Sequence, residues 1–329
     1  MIFSEPLEFH SLSMERVWGG RNLESLYGKS LPPERLIGET WEVVDREEAQ
    51  SILQNTPLKG TSLHDLWLHH RKEIFGESCP DAPRFPLLIK LLDAQQTLSL
   101  QVHPPAQIAP LLGGEPKTEM WYFLHCDPQA HIYAGLKKGY TKNPFAHLLT
   151  SGEAEEALHR IAVHAGDYIF IPSGRLHAIG AGSVLAEIQQ NSDTTYRVFD
   201  WNRSGLDGKP RTLHIDQAMR SIDFGDFEPS LGKPQGELLV SCPSFQVDLW
   251  KLTHPKKTLT KDTFSLFLCT QGSVEILGKS YHAGETFLLP ACLAGSEIAP
   301  KGQTAQVLHI HIPTSEIETN PSGPSCVSM

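Results

Sequence analysis

Four side chains in the first 180 residues have the types and spacings that suit a divalent cation. Polar and apolar residues alternate through Thr97-Leu98-Ser99-Leu100-Gln101-Val102-His103-Pro104, as a half-buried strand requires. Leu98, Leu100 and Val102 take one face, so Gln101 and His103 project an amide and an imidazole together from the other. In Lys117-Thr118-Glu119-Met120-Trp121-Tyr122 the same alternation puts Lys117 and Glu119 on one face, a pair that taken alone could equally be a solvated salt bridge. A third segment, Ile171-Pro172-Ser173-Gly174-Arg175-Leu176-His177-Ala178-Ile179-Gly180, stops at Pro and Gly and returns through His177. A histidine among Leu, Ala and Ile is an odd choice unless a partner or a metal satisfies it. Gln101, His103, Glu119 and His177 together offer two imidazoles, a carboxylate and an amide oxygen. That set suits a metal with N/O preference and open positions: zinc, or Fe(II), Mn(II) or Co(II). No cysteine takes part, which disfavours a closed structural zinc site.

A fourth segment carries charge. From Glu187 through Gln189, Asn191, Asp193 and Thr195 to Arg197 every odd position is polar or charged, while Ile188, Tyr196 and Val198 are apolar. The alternation predicts one long strand whose polar face lines a wet cavity.

The elements that must hold these groups show through an internal repeat. His164-Ala165-Gly166-Asp167-Tyr168-Ile169-Phe170-Ile171-Pro172 recurs as His282-Ala283-Gly284-Glu285-Thr286-Phe287-Leu288-Leu289-Pro290. A Gly-acidic turn, an apolar strand and a closing Pro form a recurrent edge of small antiparallel barrels. Two copies predict two similar β-barrels in tandem, mostly β, with short helices over 61–75, 144–160 and 214–222. The Gly-, Pro- and acid-rich segment 223–236 is the expected boundary between them.

Composition bounds the partners. The chain has 329 residues, 40% hydrophobic and 20% charged, with a formal charge of −10. No basic run marks a nucleic-acid footprint, so an anionic ligand must be held by a few placed cations. No stretch of roughly 18 apolar residues suggests a membrane span. The start, MIFSEPLEFH, lacks the features of a signal peptide. The six cysteines are dispersed without a CxxC pair and read as reduced thiols of a cytoplasmic protein. Cys326-Val327-Ser328-Met329 matches a prenylation box in form, but its polar upstream segment has no basic cluster. The stretch 314–329 is expected to be a flexible tail.

The stretches Val17-Trp18-Gly19-Gly20, Ile37-Gly38-Glu39-Thr40-Trp41-Glu42, Leu98 to Pro104, Lys117 to Tyr122, Pro172 to Gly180 and Glu187 to Arg197 resemble, in order, the motif series of type I mannose-6-phosphate isomerases of the short bacterial form. The resemblance implies a tandem double cupin fold with one zinc ion in the first barrel. It carries the metal ligands onto Gln101, His103, Glu119 and His177. It matches Arg197 to an essential active-site arginine and Lys117 to an active-site lysine. Glu187 and Asp193 match proton-transfer acids, Ser99 a phosphate-binding serine, and Lys90 a lysine near the pocket. The implied reaction interconverts mannose 6-phosphate and fructose 6-phosphate by moving a proton between C1 and C2.

The expected layout is a catalytic, metal-containing unit over 1–225 and a second unit over 226–313. The second lacks Gln-x-His and Lys-x-Glu counterparts and is expected to bind no metal, serving packing or dimerisation in a monomer or homodimer. Glu187 is the first choice for the base and Asp193 the second. Glu187 could instead partner a cavity cation, and Asp193 could instead orient Arg197. Two other readings of the site are an Fe(II) oxygenase and a non-catalytic sugar-phosphate sensor, and within the isomerases the substrate could be glucose 6-phosphate.

Overall fold

The structure is a computed structural model that describes residues 2–259 and 263–313. The tail 314–329, with Cys326, lies outside the described residues. Four sheets carry the fold. In the first half, a six-stranded sheet (Leu12–Gly20, Ile37–Val43, Leu87–Ala94, Ser183–Gln190, Glu119–Cys126, Tyr168–Ile171, in spatial order) faces a five-stranded one (Tyr196–Phe199, Leu100–Val102, His177–Ile179, His131–Leu136, Leu158–Ala162). Side chains from both sheets, among them Trp121, Phe123, Leu185, Ile132 and Ile179, fill the space between. In the second half a five-stranded sheet and a four-stranded sheet pack in the same way around Trp250, Phe267, Val274, Tyr281 and Phe287.

The largest core lies between the halves. Ile89, Leu91, Met120, Val184 and Ile188, on the back of the six-stranded sheet, share one apolar cluster with Val247, Leu249, Leu266, Leu308 and Ile310 of the second half. The rings of Trp67, Phe75, Phe85 and Phe264 pack edge to face or tilted within it, with centroids 4.9–5.8 Å apart. The N-terminal segment crosses this seam, where Leu7 bridges to Leu288. The chain is mostly β, as expected, in two sheet pairs taken in chain order. None of the sheets closes on itself.

Three local expectations are corrected. The helix over 61–75 is two helices, Leu63–His69 and Arg71–Phe75, broken at His70 (φ −128°, ψ 29°). Ser62 caps the first by accepting from the Asp65 N–H, and the bend lets the Trp67 and Phe75 rings meet. The helix over 144–160 is Lys142–Ser151, stopped where Gly152 turns left-handed (φ 79°). After a single 3-10 turn, Leu158–Ala162 leaves as a strand on His131–Leu136. The long strand over 187–197 is two strands in two different sheets, Ser183–Gln190 and Tyr196–Phe199. The polar residues between them make a turn instead of a ladder: the Asn191 side-chain amide donates to the carbonyls of Asp45 and Phe85, at 2.6 and 2.7 Å. Glu187 and Arg197 therefore approach one cavity from opposite walls.

Candidate metal centre and cavity

Three ligating side chains converge between the facing sheets. Glu119 opens its strand, His177 opens the strand paired with Gln101, and His103 directly follows the strand Leu100–Val102 that holds Gln101. Their donor atoms lie within 4.8 Å of one another and all three residues are buried. The ring tautomers are set from outside. The Nδ1 of His103 is 2.9 Å from the Thr194 carbonyl, and that of His177 is 2.8 Å from the Arg175 carbonyl. A carbonyl can only accept, so each Nδ1 carries the proton and each Nε2 turns a lone pair inward.

Those lone pairs face carboxylate oxygens, at 3.5 Å for His103 and 3.6 Å for His177. Neither Nε2 nor Glu119 Oε1 has a donor, and Glu119 Oε2 has only the Lys117 ammonium, at 2.8 Å. Three buried acceptors without a donor, converging beside a carboxylate, are the kind of set that a bound cation satisfies. Burial, then the Lys117 charge, lowers the His103 pKa to about 4, so the ring is a neutral ligand. Burial works against the Glu119 charge, but Lys117 and His103 outweigh it and hold the carboxyl well below its usual range. The donor set fits a divalent N/O metal. Gly174, with φ +93°, ties two ligand segments together by donating its N–H to the His103 carbonyl at 2.8 Å.

A cavity of about 530 Å³ adjoins this cluster, and Gln101, Ser99, Lys90, Lys117, Glu187, Asp193 and Arg197 all line it. Gln101 pairs in register with His177 on one side and Arg197 on the other. Paired residues in a ladder share a face, so the amide stands between a ligand and the arginine. On the opposite wall Trp41, Lys90, Glu187 and Trp121 form one rung across four strands. The Glu187 carboxylate lies 3.3 Å from the Lys90 ammonium and 3.5 Å from that of Lys117. Lys117 also reaches Glu119 at 2.8 Å, and Lys90 stands over the Trp41 ring. The cation–carboxylate pairing expected on the motif is therefore buried and shared, not solvated. Burial opposes the Lys117 charge, but the two glutamates overrule it and raise its pKa.

Asp193 is exposed at the cavity edge. It does not orient Arg197, whose guanidinium instead donates to the Thr212 carbonyl at 2.8 Å. Sequence reading missed two further elements of the cavity. Arg16 forks onto Glu39 at 3.1 and 3.2 Å, and the Trp41 indole donates to the same carboxylate at 2.7 Å. Burial disfavours that charge, yet Lys90 and Arg16 hold the Glu39 pKa at about 2. Gly38 makes room for this pair, because a Cβ there would meet Arg16 at 2.6 Å. The second missed element is Asp200 with Arg203 and Arg211, at the end of the Arg197 strand. An acid three residues after Arg197 was the available signal.

A family model described as phosphomannose isomerase type I, catalytic domain, matches residues 7–119. The mannose-6-phosphate isomerase ManA of Bacillus subtilis is 36% identical over 300 residues, spanning 87% of this chain and 93% of that protein. The chain belongs to the type I phosphomannose isomerase family. The mannose-6-phosphate isomerase of Streptococcus mutans is also 36% identical, over the same 87% of the chain. Among solved structures, the mannose 6-phosphate isomerase from Bacillus subtilis superposes with a TM-score of 0.83 at 31% identity, covering 93% of this chain and 99% of that one. The family model ends at Glu119, so it holds three of the four expected ligands, and the structure adds His177 from beyond it.

Proposed function

We propose that this family member interconverts mannose 6-phosphate and fructose 6-phosphate, using one zinc ion held by Gln101, His103, Glu119 and His177. The observation that carries this reading is the convergence of the buried His103 Nε2, His177 Nε2 and Glu119 Oε1, each without a donor, beside a cavity lined by paired cations and carboxylates. Bound there, a divalent ion supplies positive charge that polarises the sugar oxygens.

The chain's own residues do the rest. Glu187 takes the proton from the carbon alpha to the carbonyl and returns it to the neighbouring carbon, with Asp193 as the second choice. Lys117, beside Glu187, offers its ammonium to the oxygen on which enediolate charge develops. Lys90 is paired with Glu187 and aligns the base from the other side. Arg197 and Ser99 hold the phosphate, the arginine through a fork that a dianion can accept in bidentate fashion. We assign 1–225 as the metal-bearing catalytic cupin and 226–313 as a second cupin that packs against it, in a cytoplasmic monomer or homodimer.

Metal-stripped protein given mannose 6-phosphate, with and without zinc, tests the assignment by fructose 6-phosphate formation. Turnover restored by zinc and lost in His103→Ala and His177→Ala is the expected result. A folded protein that turns over nothing with zinc, cobalt or manganese would overturn it. Glu187→Gln against Asp193→Asn decides the base, since only the variant that removes it loses exchange of the substrate C2 proton with solvent.

A further inference from the structure

The segment between the helix Ile215–Ser221 and the strand Leu238–Cys242 carries the chain from the first sheet pair to the second. On its way it lies against the loop 172–176, which joins the strand ending at Ile171 to the ligand His177. Ile171 pairs with Glu119, so this short loop sets how far His177 stands from the carboxylate.

Two hydrogen-bond routes run from the connecting segment to the two histidines. In one, Asp223 N–H donates to the Gly174 carbonyl at 2.8 Å, and Gly174 N–H donates to the His103 carbonyl at 2.8 Å. In the other, the Arg175 guanidinium forks onto Asp226 at 2.7 and 2.8 Å, and the Arg175 carbonyl accepts from His177 Nδ1 at 2.8 Å. Arg175 donates once more, to the Phe170 carbonyl at 2.6 Å. The backbone beyond it is tied as well. Gly135 N–H donates to the Leu176 carbonyl at 2.8 Å, and Leu136 N–H donates to the Asp226 carbonyl at 3.1 Å. Gly135 has φ +68°, and a Cβ there would stand 2.9 Å from the Asp226 carbonyl oxygen.

We propose that Asp226, acting through Arg175, is a positioning residue for the ligand His177, so that the segment joining the two halves sets the affinity of the metal centre. This role rests on the metal centre of the isomerase reading and not on its sugar substrate. Arg175 and Asp226 are both partly buried, and a bidentate guanidinium–carboxylate pair fixes direction as well as distance. With its side chain and both neighbours held, Arg175 presents its carbonyl to His177 in one orientation. That carbonyl keeps the proton on Nδ1 and aims the Nε2 lone pair at the metal. Neither Arg175 nor Asp226 is among the residues lining the cavity, so their effect on the metal travels through this backbone.

The test compares wild type, Asp226→Ala, Asp226→Asn and Arg175→Lys for zinc affinity, by competition with a chromogenic chelator. The visible absorption of each is also recorded with Co(II) in place of zinc. Removing a group that orients a ligating imidazole costs about 10- to 100-fold in metal affinity. Asp226→Ala should show that loss and a shifted Co(II) spectrum. Asp226→Asn keeps an acceptor without the charge, and Arg175→Lys keeps the charge without the fork, so both should fall between it and wild type. Val274→Ala, in the core of the second half, should lower the thermal midpoint and leave zinc affinity unchanged. An equal loss of affinity in Val274→Ala would overturn the proposal, because stability alone would then account for it. So would zinc affinity within about twofold of wild type in Asp226→Ala, far short of the loss that an orienting partner implies. Should Asp226→Ala not fold, unchanged affinity in both Asp226→Asn and Arg175→Lys overturns it equally. A wild type that holds zinc but does not isomerise mannose 6-phosphate removes only the isomerase reading. The affinity comparison still decides Asp226, upheld by the loss and overturned by its absence. A wild type that holds neither zinc nor cobalt overturns the metal centre and this role together.

Discussion

Lys117 offers a direct test of how the centre is held together. The residue is 4% exposed, and its ammonium lies 2.8 Å from Glu119 and 3.5 Å from Glu187. Replacing it with methionine keeps most of the side-chain volume and removes the charge. Breaking a buried ion pair from one side costs about 3–5 kcal/mol, because the surviving charge is stranded. Here only one of two carboxylates is stranded, since Glu187 keeps Lys90 at 3.3 Å. The metal-stripped Lys117→Met protein should therefore lose about 3 kcal/mol, the lower end of that range. With zinc bound, Glu119 has another cation, and the loss should shrink to less than half. Adding Glu119→Gln to the metal-stripped variant should recover most of the deficit, because the stranded charge is gone. Urea unfolding of the three proteins, with and without zinc, reads all of this. A metal-stripped Lys117→Met as stable as wild type, or an equal loss with and without zinc, would refute the account of Lys117 as the counter-charge of Glu119.

Other consequences are as direct. Arg197→Ala should lower kcat/KM by about 10²–10³ through the loss of a charged contact to the reacting substrate, with the fold intact by circular dichroism; unchanged turnover would remove its assigned role. Burial, then neighbouring His309, lowers the His311 pKa from 6.5 to about 4, so the unfolded chain binds a proton that the folded chain refuses. Stability is held above about pH 6.5 and lost toward pH 4, by about 2 kcal/mol at pH 5. His311→Leu should flatten that loss in unfolding titrations across this window, and an unchanged slope would count against it. Trp67, fully buried between Phe75 and Phe85 with its indole donating to the Ala82 carbonyl at 2.9 Å, should cost about 3–5 kcal/mol on truncation to alanine, read by thermal unfolding.

The site was legible where neighbouring residues decide geometry. The alternation around Gln101 and His103, and the break at Pro172 to Gly174 before His177, are short-range facts, and the structure keeps them. Alternation failed between Glu187 and Arg197, where it cannot tell a strand from a turn whose side chains cap distant carbonyls. Asn191 bonds to Asp45 and Phe85, more than a hundred residues away, and nothing in its neighbourhood announces this. Glu39 escaped notice for the same reason, since Arg16 reaches it only in the folded chain; Asp200 had a local cue in Arg203 three residues on, and only Arg211 comes to it from farther along the chain. The two barrels inferred from the repeat correspond to two sheet pairs, but closure depends on hydrogen bonds between first and last strands, which no local pattern encodes.

The repeat also sets the cavity rung of the first half against its counterpart in the second. Ile171 pairs with Glu119 in the first half, and its repeat counterpart Leu289 pairs with Ser265 in the second. Following the ladders outward, Glu187, between Lys90 and Trp121, corresponds to His309, between Asp248 and Phe267. The positions are the same and the chemistry is different. On this rung of the second half the polar groups satisfy one another: Ser265 Oγ lies 2.9 Å from His309 Nε2, and Asp248 lies 3.3 Å from its Nδ1. Trp250 and Phe267 lie against the His309 ring, at 4.4 and 5.0 Å between centroids. In the first half the equivalent rung holds a carboxylate between two lysines, beside two histidine nitrogens with no hydrogen-bond partner, and opens on a cavity. A sheet pair that closes its polar groups on themselves gains packing. One that leaves acceptors open needs a cation to be stable. The back-to-back core of Leu91, Ile188, Leu266 and Ile310 packs the strands of the second half behind those that carry the cavity.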